Sequence, residues 1–494
     1  MLLCSASAFA QDRSTDPVYA GYMRLYGGDR EGSFSDFKAL HERDPHALPS
    51  WFGMLVAHET SIELDDSLAP SFEQGIERFL DHVDERYSRS HADAESLFYL
   101  AQGYLLRSTY RLEHDKGVFG AARDAAKAKS YSDTYIKRHP EHGDAYLALG
   151  LYNYYVEIAP NFIKVLRVLL FLPSGSRADG LKQLERGARD GRFFGPLAGA
   201  ALAEIYGSLE GRPDEAIAIG ERLVQRFPGN AEMRLNLAQA YLHPVIESYD
   251  KAALQYSAVI DRANGPSAEH VQQRCQATLG FANLRRSQWR LEEAIAILTP
   301  VIDQNVAKPV WVAPTFLLRR GNYRALLNDR DAIADVRRVL ATKTPDTYRK
   351  AAERQIAFIE ARQKTDEAAV YASLVPGNRL VVEHRWDEAR AVYDSIAATH
   401  SADWQVRYRR AYLEFARGNY ATAAKGFNEI VSASARMPSW VKATAMLNLA
   451  YTHDIAGRRT DAVTFYKTIL DKYENEAASG AARVGLISPY RRGA

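Results

Sequence analysis

The sequence predicts an all-α protein, a right-handed α-solenoid of antiparallel helix pairs with one inserted apolar helix. Three observations carry that expectation. A small residue recurs along the chain with larger residues four and seven positions on. Helix-forming Ala, Leu, Arg and Glu dominate, with no strand-like alternation, and one apolar stretch interrupts the recurrence.

The recurrence is plainest in the second half. Ala252 is followed by Tyr256 and Val259, Ala294 by Leu298 and Val301, Ala332 by Val336 and Val339, and Ala389 by Tyr393 and Ile396. Ala423 leads to Phe427 and Ile430, and Ala462 to Tyr466 and Ile469. Upstream, Ser33 leads to Phe37, Leu40 and Pro45; Ala128 to Tyr135 and Pro140; and Ala216 to Leu223 and Pro228. Offsets of four and seven fall on one helix face. The small residue lets two helices approach closely, and the larger ones fill the space beside it. From 216 the small residues stand at 252, 294, 332, 389, 423 and 462, at steps of 34 to 42 except for one of 57 before 389. That long step predicts an extra helix over Asp346 to Gln363.

Between these helices lie partners of a second kind. Ala231 to Tyr241 and Asp144 to Tyr155 carry the Leu-small pairs Leu237-Ala238 and Leu149-Gly150. Short turns such as Gly211 to Glu215 and Gly418 to Tyr420 join one kind (A) to the other (B), and acids at the start of B suit its positive dipole end. This register resembles the tetratricopeptide repeat superfamily, whose period is about 34 residues. The resemblance covers roughly residues 16–475. It implies a binding scaffold whose A helices line a concave surface, and leaves the ligand unnamed because fold does not imply function. The expected organisation is a candidate signal peptide over 1–10, repeats over 16–157, an insertion over 158–176, further repeats over 177–475 and a C-terminal helix and tail over 476–494.

The insertion runs from Ile158 through a Pro-led apolar stretch to Pro173, then a Ser174-Gly175-Ser176 turn, and Gly180-Leu181. That order resembles the family of mammalian tetratricopeptide repeat protein thirty-nine and the yeast inclusion-body clearance protein, and implies an adaptor role without catalysis. Two readings stay open. The apolar residues pack into the solenoid, or the helix is a surface foot in which Phe162 and Leu170 insert while Lys164 and Arg167 meet lipid phosphates or an acidic partner. Tyr152, Tyr154 and Tyr155, just before it, belong to the repeat core or line a ligand pocket.

Charge and motifs exclude several classes. With 63 basic and 61 acidic residues among 494, the formal charge of +2 gives no general attraction to nucleic acid or anionic membrane, so charge-based binding must be local. No GxSxG, HExxH, GxxxxGK[ST] or GxGxxG occurs, so no enzyme, cofactor or metal is expected. His139, His142 and Asp144 are metal-capable but fall in a loop where polar residues are ordinary. Cys4 and Cys275 form no disulfide framework. Residues Met1 to Gln11 end like a secretory signal with Ala8 and Ala10 before the polar stretch, although a basic start is missing, which suggests a true start codon further upstream. Export to the periplasm with a mature start at Gln11 is the expectation, cytoplasmic residence the alternative.

The expected ligand is a protein or peptide. Arginines collect on the A helices of the second half: Arg285 and Arg286; Arg319, Arg320 and Arg324; Arg407, Arg409 and Arg410. Arg285, Arg320, Arg324, Arg407 and Arg410 are expected to form a ladder that grips the carboxylates of an acidic partner. The alternative is that they pair with acids opening neighbouring helices, such as Glu292, Glu293, Asp331, Asp387 and Glu388. A peripheral membrane or lipid-handling role through residues 159–173 is the competing function.

Overall fold

The computed structural model describes residues 15–158, 173–306, 308–342 and 344–491. Among them the chain forms 24 α-helices and no strand. The candidate leader and most of the expected inserted helix, with Phe162, Lys164, Arg167 and Leu170, lie outside the described residues.

The chain falls into two compact units, Met1–Glu204 with Ala218–Met233, and Ile205–Ile217 with Arg234–Ala494. The first unit begins with α1 (Pro17–Tyr26), α2 (Arg30–Arg43), α3 (Leu48–Ile62), α4 (Ala69–Arg89) and α5 (Ala94–Glu113). It continues with α6 (Val118–Arg138), α7 (Tyr146–Ile158) and α8 (Arg177–Asp190). The boundary runs through α9 (Gly195–Ser208), α10 (Pro213–Arg226) and α11 (Ala231–Tyr241). The second unit then carries α12 (Tyr249–Arg262), α13 (Ala268–Ser287), α14 (Leu291–Asp303), α15 (Val312–Leu326), α16 (Ala332–Leu340) and α17 (Asp346–Gln363). Its remainder is α18 (Glu367–Val382), α19 (Trp386–His400), α20 (Trp404–Ala416), α21 (Tyr420–Ser432), α22 (Ser439–Ile455), α23 (Arg459–Lys472) and α24 (Ala478–Ile487). The extra helix expected from the long step is α17.

The small-residue register is the packing code. Ser33, Ala252, Ala294, Ala332, Ala389, Ala423 and Ala462 are all 0% exposed, and Ala128 and Ala216 1%. Several of the larger residues four positions on meet a glycine of an adjacent A helix: an added Cβ at Gly377, on the A helix of the same repeat, would lie 2.4 Å from the Tyr393 ring. Ring and glycine therefore interlock, which seats the B helix closely against the A helix. In the first unit the close approach of α7 and α8 needs Gly180, where a Cβ would stand 2.6 Å from the Tyr154 backbone nitrogen.

Many of the A–B turns share one device. One residue takes a left-handed conformation and the chain reverses through paired backbone hydrogen bonds. At Gly418 (φ 86°), Gly418 N–H donates to Phe415 O and Asn419 N–H to Glu414 O. Trp289 (φ 59°) does the same between α13 and α14, and His384 (φ 59°) between α18 and α19. Side-chain caps help start A helices, as where Asp93 accepts from Ser96 N at 3.2 Å and Asp403 from Gln405 N at 2.7 Å.

Candidate functional site

The second unit gathers arginines and aromatic rings where its A helices meet. Trp289 occupies a left-handed turn position that a bulky residue adopts at a cost on the order of 1–3 kcal/mol. In return its ring lies 6.2 Å from that of Tyr371 on α18, and the Arg409 guanidinium of α20 sits 4.8 Å from its centroid. Tyr371 also approaches Trp440 of α22 at 5.8 Å, and Tyr408 meets Trp440 at 5.9 Å in an edge-on arrangement. Arg362 of α17 stacks 4.8 Å over Tyr371 and pairs with Glu367 at 3.1 Å. Trp289 and Trp440 are half-buried; Tyr371, Tyr408 and Arg409 are buried. Tyr408 Oη accepts from Asn448 Nδ2 at 3.0 Å. Burial pushes its phenol above the ordinary range, so this hydroxyl is neutral at physiological pH.

The expected ladder is arranged differently. Arg320 is buried, and its fork donates to both oxygens of Asp335, at 2.9 Å from Nε and 2.7 Å from Nη2, with Thr299 accepting from Nη1 at 3.1 Å. Arg324 donates to the same aspartate at 2.9 Å and stands 3.5 Å from Asp329. Both clip α15 to α16 rather than offer free guanidinium groups, which corrects the expectation that they grip a partner. Arg285 faces Glu293 at 3.4 Å and stacks over Phe281. Arg410 pairs with Asp394 at 3.1 Å, and Arg407 lies over Trp404 while donating to Ser401 O at 3.0 Å. Arg407 and Arg410 are exposed, whereas Arg409 between them turns inward. The sequence shows Arg409 among the clustered arginines without assigning it to the ladder, and Trp289 is not singled out there; the signal available was a tryptophan in a turn where glycine is usual.

The first unit holds the remaining candidates. Tyr154 is fully buried, and Tyr155 is 42% exposed, its phenol pushed up to about 12 by burial and then by Glu204. Asp144 is committed to the fold: its carboxylate accepts from Phe193 N at 3.0 Å and Phe194 N at 2.7 Å, while the neighbouring His142 ring meets Tyr135 Oη at 2.6 Å. A different acidic group stands on α3 and at the end of α5. Glu59, Glu113 and His114 bring ligand-capable atoms within 4.8 Å of one another. Burial, then the Glu113 carboxylate, pushes Glu59 up to about 8, so it keeps its proton at neutral pH. Glu232 at the start of α11 is raised likewise by burial, with Arg30 opposing the shift.

Residues 209–244 and 374–438 match two models of the tetratricopeptide repeat. Those two stretches carry tetratricopeptide repeats. The second match runs from α18 to the segment before α22 and so contains the left-handed turns at His384 and Gly418. Solved structures similar to this repeat protein include a tetratricopeptide repeat protein from Parabacteroides merdae ATCC 43184, 15% identical, over 59% of this chain and 98% of that one, with a TM-score of 0.24. The human IFIT1 dimer with m7Gppp-AAAA is 12% identical over 77% of this chain and 88% of that one, TM-score 0.38. Yeast Tom70 is 11% identical over 92% of each chain, TM-score 0.33. Likeness at this level says nothing of ligand or partner. No curated protein matches the sequence.

Proposed function

We propose that this repeat protein is a non-catalytic interaction scaffold that holds a segment of a partner protein against the A helices of its second unit. The observation that carries the reading is the aromatic cluster of α18, α20, α22 and the α13–α14 turn, where Trp289 and Trp440 stay half-buried. Large, rigid, half-wet aromatic side chains beside arginine are the residue types that dominate binding energy at protein interfaces. A photoreactive phenylalanine analogue placed at Trp440 is expected to crosslink a small set of proteins in native extract. The same group at Leu254, 66% exposed, is expected to capture none of them. Equal labelling from both positions would overturn the reading.

That partner segment is acidic, with Arg407 and Arg410 as exposed contributors to its grip. The apolar run with Lys164 and Arg167 supports a second reading, contact with a membrane surface. Flotation with anionic liposomes, with and without residues 159–173, tests it, and no loss on deletion would remove it. No helix among the described residues is long and apolar enough to cross a membrane. Export is proposed on the Ala8 and Ala10 pattern, and N-terminal sequencing of the protein from its host is expected to start at Gln11.

A further inference from the structure

Four arginines of the described residues are buried or nearly so, and three have their charge answered. Arg107 shares Asp124, at 2.7 and 2.9 Å, with Arg111; Arg320 has Asp335; Arg362 has Glu367. Arg409 differs. It is 8% exposed, its Nε, like the Nε and Nη2 of Arg362, is sealed from water without a hydrogen-bond acceptor, and, unlike Arg362, it has no carboxylate paired with it among the described residues. What surrounds it is aromatic: the Trp289 ring at 4.8 Å and the Tyr408 ring at 5.3 Å. Ring faces attract a guanidinium, yet cation–π contact replaces only part of the hydration lost on burial and supplies no acceptor for the N–H groups. Tyr408 cannot act as a counter-ion because its phenol is neutral.

We propose that Arg409 is the anchor of an anion site, and that its ligand is a single carboxylate on a side chain of the partner segment. The proposal rests on the scaffold reading above and names the chemistry of what that scaffold holds. One uncompensated positive charge matches a monoanion; Arg362, neutralised by Glu367, adds none, so a phosphate dianion would arrive with excess charge. With Nε sealed, an incoming carboxylate meets the fork at its Nη end and accepts from the donors the fold leaves unused. Trp289, over the guanidinium, and Trp440, against the Tyr408 and Tyr371 rings, are half-buried and offer apolar walls to the methylene or aromatic body carrying the carboxylate. The strained backbone of Trp289 acquires a purpose, since it delivers the ring that covers the guanidinium.

The test uses the full chain and tryptophan emission, with Trp289→Phe identifying the reporting indole. Phenylacetate is the probe and phenylacetamide its neutral isostere; a capped Phe-Glu-Phe peptide and its Phe-Gln-Phe counterpart ask whether the carboxylate comes from protein, and inorganic phosphate asks about charge. Expected is saturable binding of phenylacetate at least roughly tenfold tighter than of the amide, the same preference between the peptides, and its loss in Arg409→Met. The melting temperature of unliganded Arg409→Met is expected to match or exceed that of the wild type, because an unpaired buried charge is removed. Absence of any carboxylate preference in the wild-type protein overturns the site, whatever the melting temperature does. A preference that survives in Arg409→Met overturns the assignment to Arg409. Phosphate binding more tightly than phenylacetate overturns the monoanion, and phenylacetate without the glutamate peptide overturns the protein source. Crosslinking at Trp440 is independent of these probes, so the anion site can fail while the scaffold reading stands, and the reverse.

Discussion

The two units use the same clip and end with opposite chemistry. In the first, Arg107 and Arg111 of α5 share Asp124 of α6; in the second, Arg320 and Arg324 of α15 share Asp335 of α16. Both aspartates are almost fully buried, and in each an arginine pair four residues apart fastens an A helix to its B helix. Away from the clips the units diverge. The first gathers Glu59, Glu113 and Glu232, with Glu59 holding its proton up to about 8, whereas the second leaves the guanidinium of Arg409 without an acid. Packing fixes the interlocking residues of a repeat and leaves its inner positions free, so ligand chemistry is written where packing is silent.

The clips give the sharpest way to break this comparison. Asp335→Ala strands Arg320 with only Thr299 as an acceptor and is expected to cost about 3–5 kcal/mol. Asp124→Ala is expected to cost less, because Glu77 remains beside Arg107 and 3.6 Å from Arg111. Urea denaturation measures both, and equal losses would mean that Glu77 contributes nothing. Next in size, Ala389→Leu overpacks a site with 0% exposure and is expected to cost about 1–3 kcal/mol by the same measurement. A neutral result would contradict the interlock of Ala389 with its neighbours.

The acidic group is probed by pH. Folded Glu59 holds its proton up to about 8 while the unfolded chain releases it near 4.5, so unfolding sheds a proton between those values. Stability therefore falls as pH rises through that window. Glu59→Gln is expected to flatten this part of the stability profile and to raise the melting temperature above pH 8, and an unchanged profile would place the proton elsewhere. Smallest of all, Arg410→Ala, which breaks an exposed pair with Asp394, is expected to move stability by less than about 0.5 kcal/mol.

Much of the fold was legible because volume leaves a trace at fixed spacing. Ala252, Ala389 and Ala462 announce helix contacts in any order of repeats, and the one long step located α17 by arithmetic. The candidate site was less legible. Arg407, Arg409 and Arg410 look alike in sequence, and helical spacing alone favoured the two that proved exposed. Which arginine is answered depends on residues that folding brings in: Glu293, foreseen from its place at the start of α14, does meet Arg285, but Arg320 takes Asp335 and not the foreseen Asp331. Trp289 reaches Arg409 from a turn in a non-adjacent repeat, which no local pattern records.

That reach alters how the second unit responds to load. A solenoid whose repeats touch only their neighbours stretches like a spring and gives way one coil at a time. Trp289, lying against Tyr371 and Arg409 together, ties coils that chain order keeps apart, so pulling on the ends must shear this brace before the intervening helices can separate.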